Sequence, residues 1–284
     1  MTYPARKTYT RRIVPGVTGL AMGGAVLFAS PAQAMETIDS TPCTAKMISA
    51  HEGATADTDG DTVESQIAAW NVGANLADSD IWKTKDNAFV QRHDNDLSTS
   101  TSAPYGTLIT NLTLAEVQSY TTRQHGEQIP EVADSLALTQ FSEPNRWLMF
   151  ETKWSMNGTW ALQRLDDQIK AAGMSSHVVI YSAFLSQLQF LSSIDPDLYL
   201  WYKAGNPPPV ADLAGLDGVM LSSSVITKGV VATYHAAGYT VTRGRVGFET
   251  QRVWDNFVRK GADAMMTSDP IPVIDRCRAL PPPT

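Results

Sequence analysis

The chain has 284 residues, of which 43% are hydrophobic and 18% charged, with 7 Trp. That composition is globular and excludes a disordered, fibrous or collagen-like chain. A formal charge of -7 argues against a nucleic-acid partner, and 2 cysteines are too few for a disulfide-built miniprotein.

The first 34 residues read as a signal peptide. Arg6, Lys7, Arg11 and Arg12 form a basic head with no acid, residues 13–30 are uncharged, and Ala32-Gln33-Ala34 has the small-x-small pattern of a cleavage site. Thr10-Arg11-Arg12 also resembles a twin-arginine signal, so the Sec and Tat routes both stay open. An uncleaved anchor is the alternative. Against it, the run contains Gly16, Gly19, Gly23, Gly24 and Pro15, and no second apolar stretch of that length follows. Cleavage after Ala34 removes four positive charges and leaves 250 residues with a net charge of -11. Such a chain is expected to be secreted, monomeric and not stably inserted in a membrane. Cys43 and Cys277 lie near its two ends and are expected to pair in an oxidising compartment; two buried thiols are the alternative.

Residues 35–284 show no Pro/Gly/Ser-rich linker, so they are expected to form one domain. Strand-like runs occur at 46–50, 76–80, 147–151, 178–182, 198–202, 218–221, 240–243 and 264–267, with 88–92 extending or pairing with the second. Helical patterns occupy 62–72, 111–120, 160–172, 184–192, 225–237 and 250–260. Thr62 is an N-cap with Glu64 and Gln66 in the first turns, and Thr113 forms a capping box with Glu116. Eight strands alternating with helices over this length imply a single-domain α/β (β/α)8 TIM barrel. A doubly wound open sheet is the alternative, disfavoured because no Gly-rich phosphate loop follows the first strand.

In such a barrel the working residues lie at the C-terminal ends of strands. His51 follows the first strand. Asp78 and Asp80 end the second, on one face by the period-two rule. His93 and Asp94 close the next segment, and Glu151 and Lys153 close the following strand. Three carboxylates on a rim suit a hard divalent cation, two histidines suit proton transfer near neutral pH, and a lysine suits an anionic oxygen. Together they point to metal-assisted attack on a small-molecule phosphodiester.

The same residues resemble the glycerophosphodiester phosphodiesterase family, a (β/α)8 barrel. Ile48-Ser49-Ala50-His51-Glu52-Gly53 is similar to its Ala-His-Arg-Gly opening, Asp78-Ser79-Asp80 to its Glu-x-Asp pair, and Thr84-Lys85-Asp86 to its Thr-Lys-Asp turn. Val90-Gln91-Arg92-His93-Asp94 resembles its second-histidine motif, Leu112-Thr113-Leu114-Ala115-Glu116 its helix start, Ile129-Pro130 its Ile-Pro, Glu151-Thr152-Lys153 its Glu-x-Lys, and residues 261–267 its closing strand. The resemblance implies that His51 and His93 are the acid/base pair. It implies that Asp78, Asp80 and Glu151 hold a divalent cation, with Ca2+ favoured over Mg2+ in an exported protein, and that Lys153 contacts the phosphate. The implied reaction yields glycerol 3-phosphate and an alcohol.

Several positions depart from the pattern. The opening Arg is Glu52, the Glu of the family's Pro-Glu-Asn-Thr aligns with Gly60, and the Glu of the metal pair is Asp78. The late Trp-Thr-Val-Asn signature is replaced by Gly244-Arg245-Val246-Gly247. A lost Arg and a lost Glu suggest a rebuilt pair. Glu in place of Arg weakens anion binding unless another cation compensates, with Arg92, Arg243 and Arg245 as candidates. Two alternatives follow. One is a sphingomyelinase D or phospholipase D-like enzyme on choline phospholipids, which needs an exposed apolar loop such as one carrying Trp82, Trp154 or Trp160. The other is a ligand-binding barrel without turnover.

Overall fold

The computed structural model describes residues 47–139, 146–244 and 250–279. The leader with its cleavage site, Cys43, Arg245 and the side chain of Cys277 lie outside the described residues, and the proposed disulfide with them.

The strands are β1 (Met47–Ala50), β2 (Leu76–Lys83), β3 (Phe89–Gln91), β4 (Trp147–Thr152), β5 (Val178–Ser182), β6 (Tyr199–Ala204), β7 (Gly218–Leu221), β8 (Thr240–Arg243) and β9 (Ala264–Thr267). The helices are α1 (Val63–Asn71), α2 (Leu114–Val117), α3 (Val132–Thr139), α4 (Thr159–Ala171), α5 (Leu185–Ile194), α6 (Lys228–Ala236), α7 (Gln251–Lys260) and α8 (Pro270–Ala279). All strands but β3 pair in parallel in one ring, closed where Ala50 of β1 meets Ala77 of β2 and Thr267 of β9. The fold is thus the expected (β/α)8 barrel. Its strands are covered by helices outside and side chains inside, which is why they read as continuous apolar runs.

Alternation along each strand sorts two layers. Met47, Leu76, Trp147, Met149, Val179, Tyr181, Trp201, Met220 and Met266 fill the barrel interior. Their neighbours in sequence, such as Ile48, Ala77, Leu148, Ile180 and Val219, pack under the helices. Gly218 is required by close packing: a Cβ there would lie 2.7 Å from the Thr240 carbonyl and 2.9 Å from the Trp201 ring.

The structure adds to or amends the sequence reading in four places. The Thr62 capping box is closed by Ser65 rather than Glu64 or Gln66. The Thr113–Glu116 box forms, but α2 stops at Val117, because the β-branched pair after it turns into bridges from Thr121 to Gln128 and from Thr122 to Thr101. Between β6 and β7 there is only a 3-10 turn, Val210–Leu213, since Pro207-Pro208-Pro209 supplies no backbone N–H for a helix. β2 also outruns its expected end by three residues, so that Ile81–Lys83 pair antiparallel with Phe89–Gln91 of β3. That hairpin opens a long excursion, residues 84–131, packed around its own small core of Trp82, Val90, Leu97, Ala103, Ile109, Val117 and Ile129. Among the described residues no helix is long and apolar enough to cross a membrane.

Candidate active site

The interior ladder turns polar toward the C-terminal mouth. Leu76 is followed inward by Asp78 and Asp80, Met149 by Glu151, Val179 by Tyr181, and Trp201 by Lys203. Period two alone delivers these side chains to one place. His51 leaves the end of β1, its N–H donating to the Thr267 carbonyl at 2.9 Å. His93 arrives from the excursion: the Arg92 N–H donates to the Asp80 carbonyl at 3.0 Å, and the Trp82 indole donates to the His93 carbonyl at 3.2 Å. The two imidazoles face each other with ring centroids 6.2 Å apart. Both histidines, Glu151, Tyr181, Lys203 and Met220 line a cavity of ≈ 340 Å³. The other described histidines serve the scaffold: His125 pairs with Asp59, His235 with Asp263, and His177 stacks on Trp147.

Below the cavity lies a nest of carboxylates. Asp61, Asp78, Asp80 and Glu151 are buried, and Asp61 accepts from the Ser79 hydroxyl and the Asp80 N–H, both at 2.9 Å. Lys153 bridges Asp80 at 2.8 Å and Glu151 at 3.1 Å. Lys203 reaches both oxygens of Glu151, at 2.8 and 2.9 Å, and lies 5.6 Å above the Tyr181 ring. Burial, and then the charge of Asp61, pushes Asp78 up to about 8, against hydrogen bonds from the Glu52 N–H and the Tyr181 hydroxyl. The same two causes raise Asp80 well above the carboxylate range, with Lys153 opposing. Burial would raise Glu151 as well, but Lys153 and Lys203 outweigh it and hold this carboxyl at about 2. Burial and neighbouring charge thus push the members of one carboxylate cluster in opposite directions.

The nest fits a hard cation. Four carboxylates stand against two ammonium groups, a formal excess that one divalent ion would neutralise. Asp78 Oδ1 and Asp61 Oδ2 are buried and have no hydrogen-bond partner, as oxygens awaiting a cation would.

Two expected phosphate contacts lie elsewhere. Arg92 is buried and donates through Nη2 to Ser100 inside the excursion, and it does not line the cavity. Arg243 donates to Ser223 and borders a separate cavity of ≈ 60 Å³. Lys203 is the cation inside the site that the sequence reading missed. Its signal was the inward series Tyr199, Trp201, Lys203, which runs one step beyond the strand end assigned from sequence.

Glu52, half of the pair that the sequence suggests is rebuilt, enters the site. Its backbone adopts φ 56 and its Oε1 lies 3.5 Å from His51 Nδ1. A Cβ on residue 60 would lie 2.5 Å from Glu52 Oε2, so the carboxylate occupies the space that a side chain at Gly60 would fill. One ligand atom each from His51, Glu52 and His93 lies within 4.8 Å of the other two.

Facing histidines above ionised carboxylates, at the strand ends of a (β/α)8 barrel, are the layout of a barrel enzyme. The glycerophosphoryl diester phosphodiesterase family model matches residues 51–270, and the chain belongs to that family. Membership makes it a phosphodiesterase by family. Among solved structures, a glycerophosphodiester phosphodiesterase from Parabacteroides distasonis superposes with a TM-score of 0.73 at 18% identity, covering 82% of this chain and 97% of its own. An Oleispira antarctica phosphodiesterase in complex with the product sn-glycerol-3-phosphate gives 0.70 at 19%, covering 81% and 96%. A glycerophosphodiester phosphodiesterase from Agrobacterium tumefaciens gives 0.69 at 16%, covering 83% and 100%. No curated protein matches the chain at a significant level.

Proposed function

We propose that the protein is a secreted, divalent-cation-dependent enzyme that hydrolyses glycerophosphodiesters to glycerol 3-phosphate and an alcohol. The observation that carries this reading is the pair of imidazoles facing across the cavity, each beside a carboxylate: His51 with Glu52, and His93 with Asp94 at 3.0 Å. A carboxylate beside Nδ1 favours the tautomer that leaves Nε2 free to exchange a proton. One imidazole takes the proton of the attacking water as its oxygen bonds to phosphorus. The other gives a proton to the alcohol oxygen as the P–O bond to it breaks. Asp78, Asp80 and Glu151 would hold the cation, which supplies Lewis-acid stabilisation of the phosphate charge; Ca2+ is favoured over Mg2+ because it tolerates irregular oxygen sets. Lys203 lines the cavity and would meet a phosphate oxygen there, supplying the positive charge that Glu52 does not, whereas Lys153, the phosphate contact expected from the resemblance, is held below the cavity by Asp80 and Glu151.

The test is 31P NMR of glycerophosphocholine and glycerophosphoethanolamine with the purified protein in Ca2+, Mg2+ or EDTA. Cation-dependent release of glycerol 3-phosphate supports the reading, and no turnover of either compound in either metal refutes it. The Lys203 role has its own check. Lys203→Met removes one charge-assisted contact, so kcat/KM should fall roughly 10- to 100-fold, carried by KM, with little change in melting temperature because the ammonium is 44% exposed. An unchanged KM would remove Lys203 from the substrate contacts.

One observation favours the second reading, a sphingomyelinase D or phospholipase D-like enzyme. Trp154 and Trp160 are 51% and 52% exposed, in the loop after β4 and the first turn of α4, and Phe184, which precedes α5, is 39% exposed. Gln187 of α5 ties its helix to that loop, donating to the Lys153 carbonyl at 3.3 Å and to Asn157 at 3.0 Å. Trp82 is not part of this surface; it is buried, edge-on to Trp154. Sphingomyelin in the same NMR panel separates the two readings.

A further inference from the structure

We propose that His51, Glu52 and His93 form a binding site for a transition-metal ion of the Zn2+ class, distinct from the carboxylate nest beneath, and that this ion switches the enzyme off by occupying both imidazoles. The donor chemistry differs between the two places. The nest offers only oxygens, which suit a hard cation. The upper group offers two imidazoles and one carboxylate, the borderline set that holds zinc with an open fourth position.

The geometry is close to what such an ion needs. Tetrahedral bonds of about 2.1 Å place ligand atoms about 3.4 Å apart, and His51 Nδ1 and Glu52 Oε1 are already 3.5 Å apart. All three donors lie within 4.8 Å, and the remaining adjustment falls to His93, whose side chain is 49% exposed. His93 Nδ1 is held by Asp94 at 3.0 Å, the outer carboxylate contact that orients metal-binding imidazoles and presents Nε2 to the ion.

The third ligand is built in at a cost. Glu52 holds φ 56, a left-handed conformation that side-chain-bearing residues seldom adopt, and strain of this kind concentrates at functional sites. Its carboxylate fits only because residue 60 is glycine: an added Cβ would lie 2.5 Å from Oε2 and 3.0 Å from the Glu52 Cβ. Gly60 and Glu52 thus act as a pair that brings a carboxylate to the two histidines. The cavity lined by both histidines gives the ion its access.

The test titrates Zn2+ into the purified, untagged protein in excess Ca2+, read by calorimetry, and repeats the titration with Co2+, read by visible absorption. One Zn2+ per chain should bind despite the Ca2+, and Co2+ should give the strong d–d bands of a four-coordinate site. Glu52→Gln and Gly60→Ala should each weaken Zn2+ binding at least tenfold. Asp80→Asn, which removes one carboxylate from the nest at nearly constant size, should leave it unchanged. Zn2+ should also inhibit phosphodiester hydrolysis at a concentration at least tenfold lower in the wild type than in Gly60→Ala. Zn2+ that Ca2+ displaces, or affinity equal in Glu52→Gln, or affinity lost in Asp80→Asn, would overturn the proposal. The inhibition arm rests on His51 and His93 being the proton-transfer pair. The binding arm does not, so a failure of hydrolysis in zinc-free Ca2+ and a failure of zinc binding are read separately.

Discussion

Lys153→Met should lower the melting temperature by roughly 6–20 °C at pH 7, the effect of removing one partner from a buried ion pair in a domain of this size. The Lys153 side chain is only 15% exposed and stands between Asp80 and Glu151. Methionine fills similar space without the charge, so Asp80 loses its cation and Glu151 loses one of its two. The pH dependence identifies the cause. Glu151 is held at about 2, below its unfolded value, so its ion pairing contributes stability above the unfolded pKa and loses it as pH falls toward 2. The gap between wild type and variant should therefore be complete above about pH 5 and close in stronger acid. Matching melting curves at pH 7 would show that Lys153 is not the clamp the distances describe.

His51→Ala and His93→Ala should each reduce turnover roughly a hundred- to ten-thousand-fold, the usual worth of a general acid or base. Stability should change little, since His51 is fixed by its backbone N–H to Thr267 and the His93 side chain is half exposed. The double variant should be scarcely worse than either single one, because groups serving one proton relay are not additive. Each single variant should also lose one limb of a bell-shaped pH–rate profile. Wild-type kcat in His93→Ala would remove that residue from the reaction.

The barrel was legible because its signals are local. Apolar runs of four to six residues between helical patterns mark a parallel sheet regardless of what packs against them. Asp78 and Asp80 were correctly assigned to one face, since period two is a property of the strand. The Thr113–Glu116 box was equally visible because cap and partner are three residues apart. What escaped depends on distance in space. The fit of Glu52 over Gly60 follows from a loop that brings the Asp61 N–H to the Glu52 carbonyl at 3.0 Å, with Glu52 and Asp61 both left-handed. No propensity announces two such residues. Lys203 was hidden by a strand two residues longer than its apolar run. Arg92 looked like an available cation, but hydrogen bonding turned it to Ser100. The path of the excursion between its motifs escaped for a different reason: side-chain caps and isolated bridges, not periodic elements, hold much of it.

That excursion carries His93, while His51 belongs to the barrel wall. The excursion packs six buried apolar side chains of its own around Trp82 of β2, against the much larger core under the barrel helices. A unit with so small a core opens at lower free energy than the whole protein. The two histidines of the proposed relay therefore stand on parts of the chain with very different cores. Local opening of residues 84–131 would carry His93 away while the barrel, its carboxylates and Lys153 stay folded. Heat or denaturant should then silence the enzyme well before the barrel melts. During folding, competence would arrive last, when a finished barrel receives its second histidine.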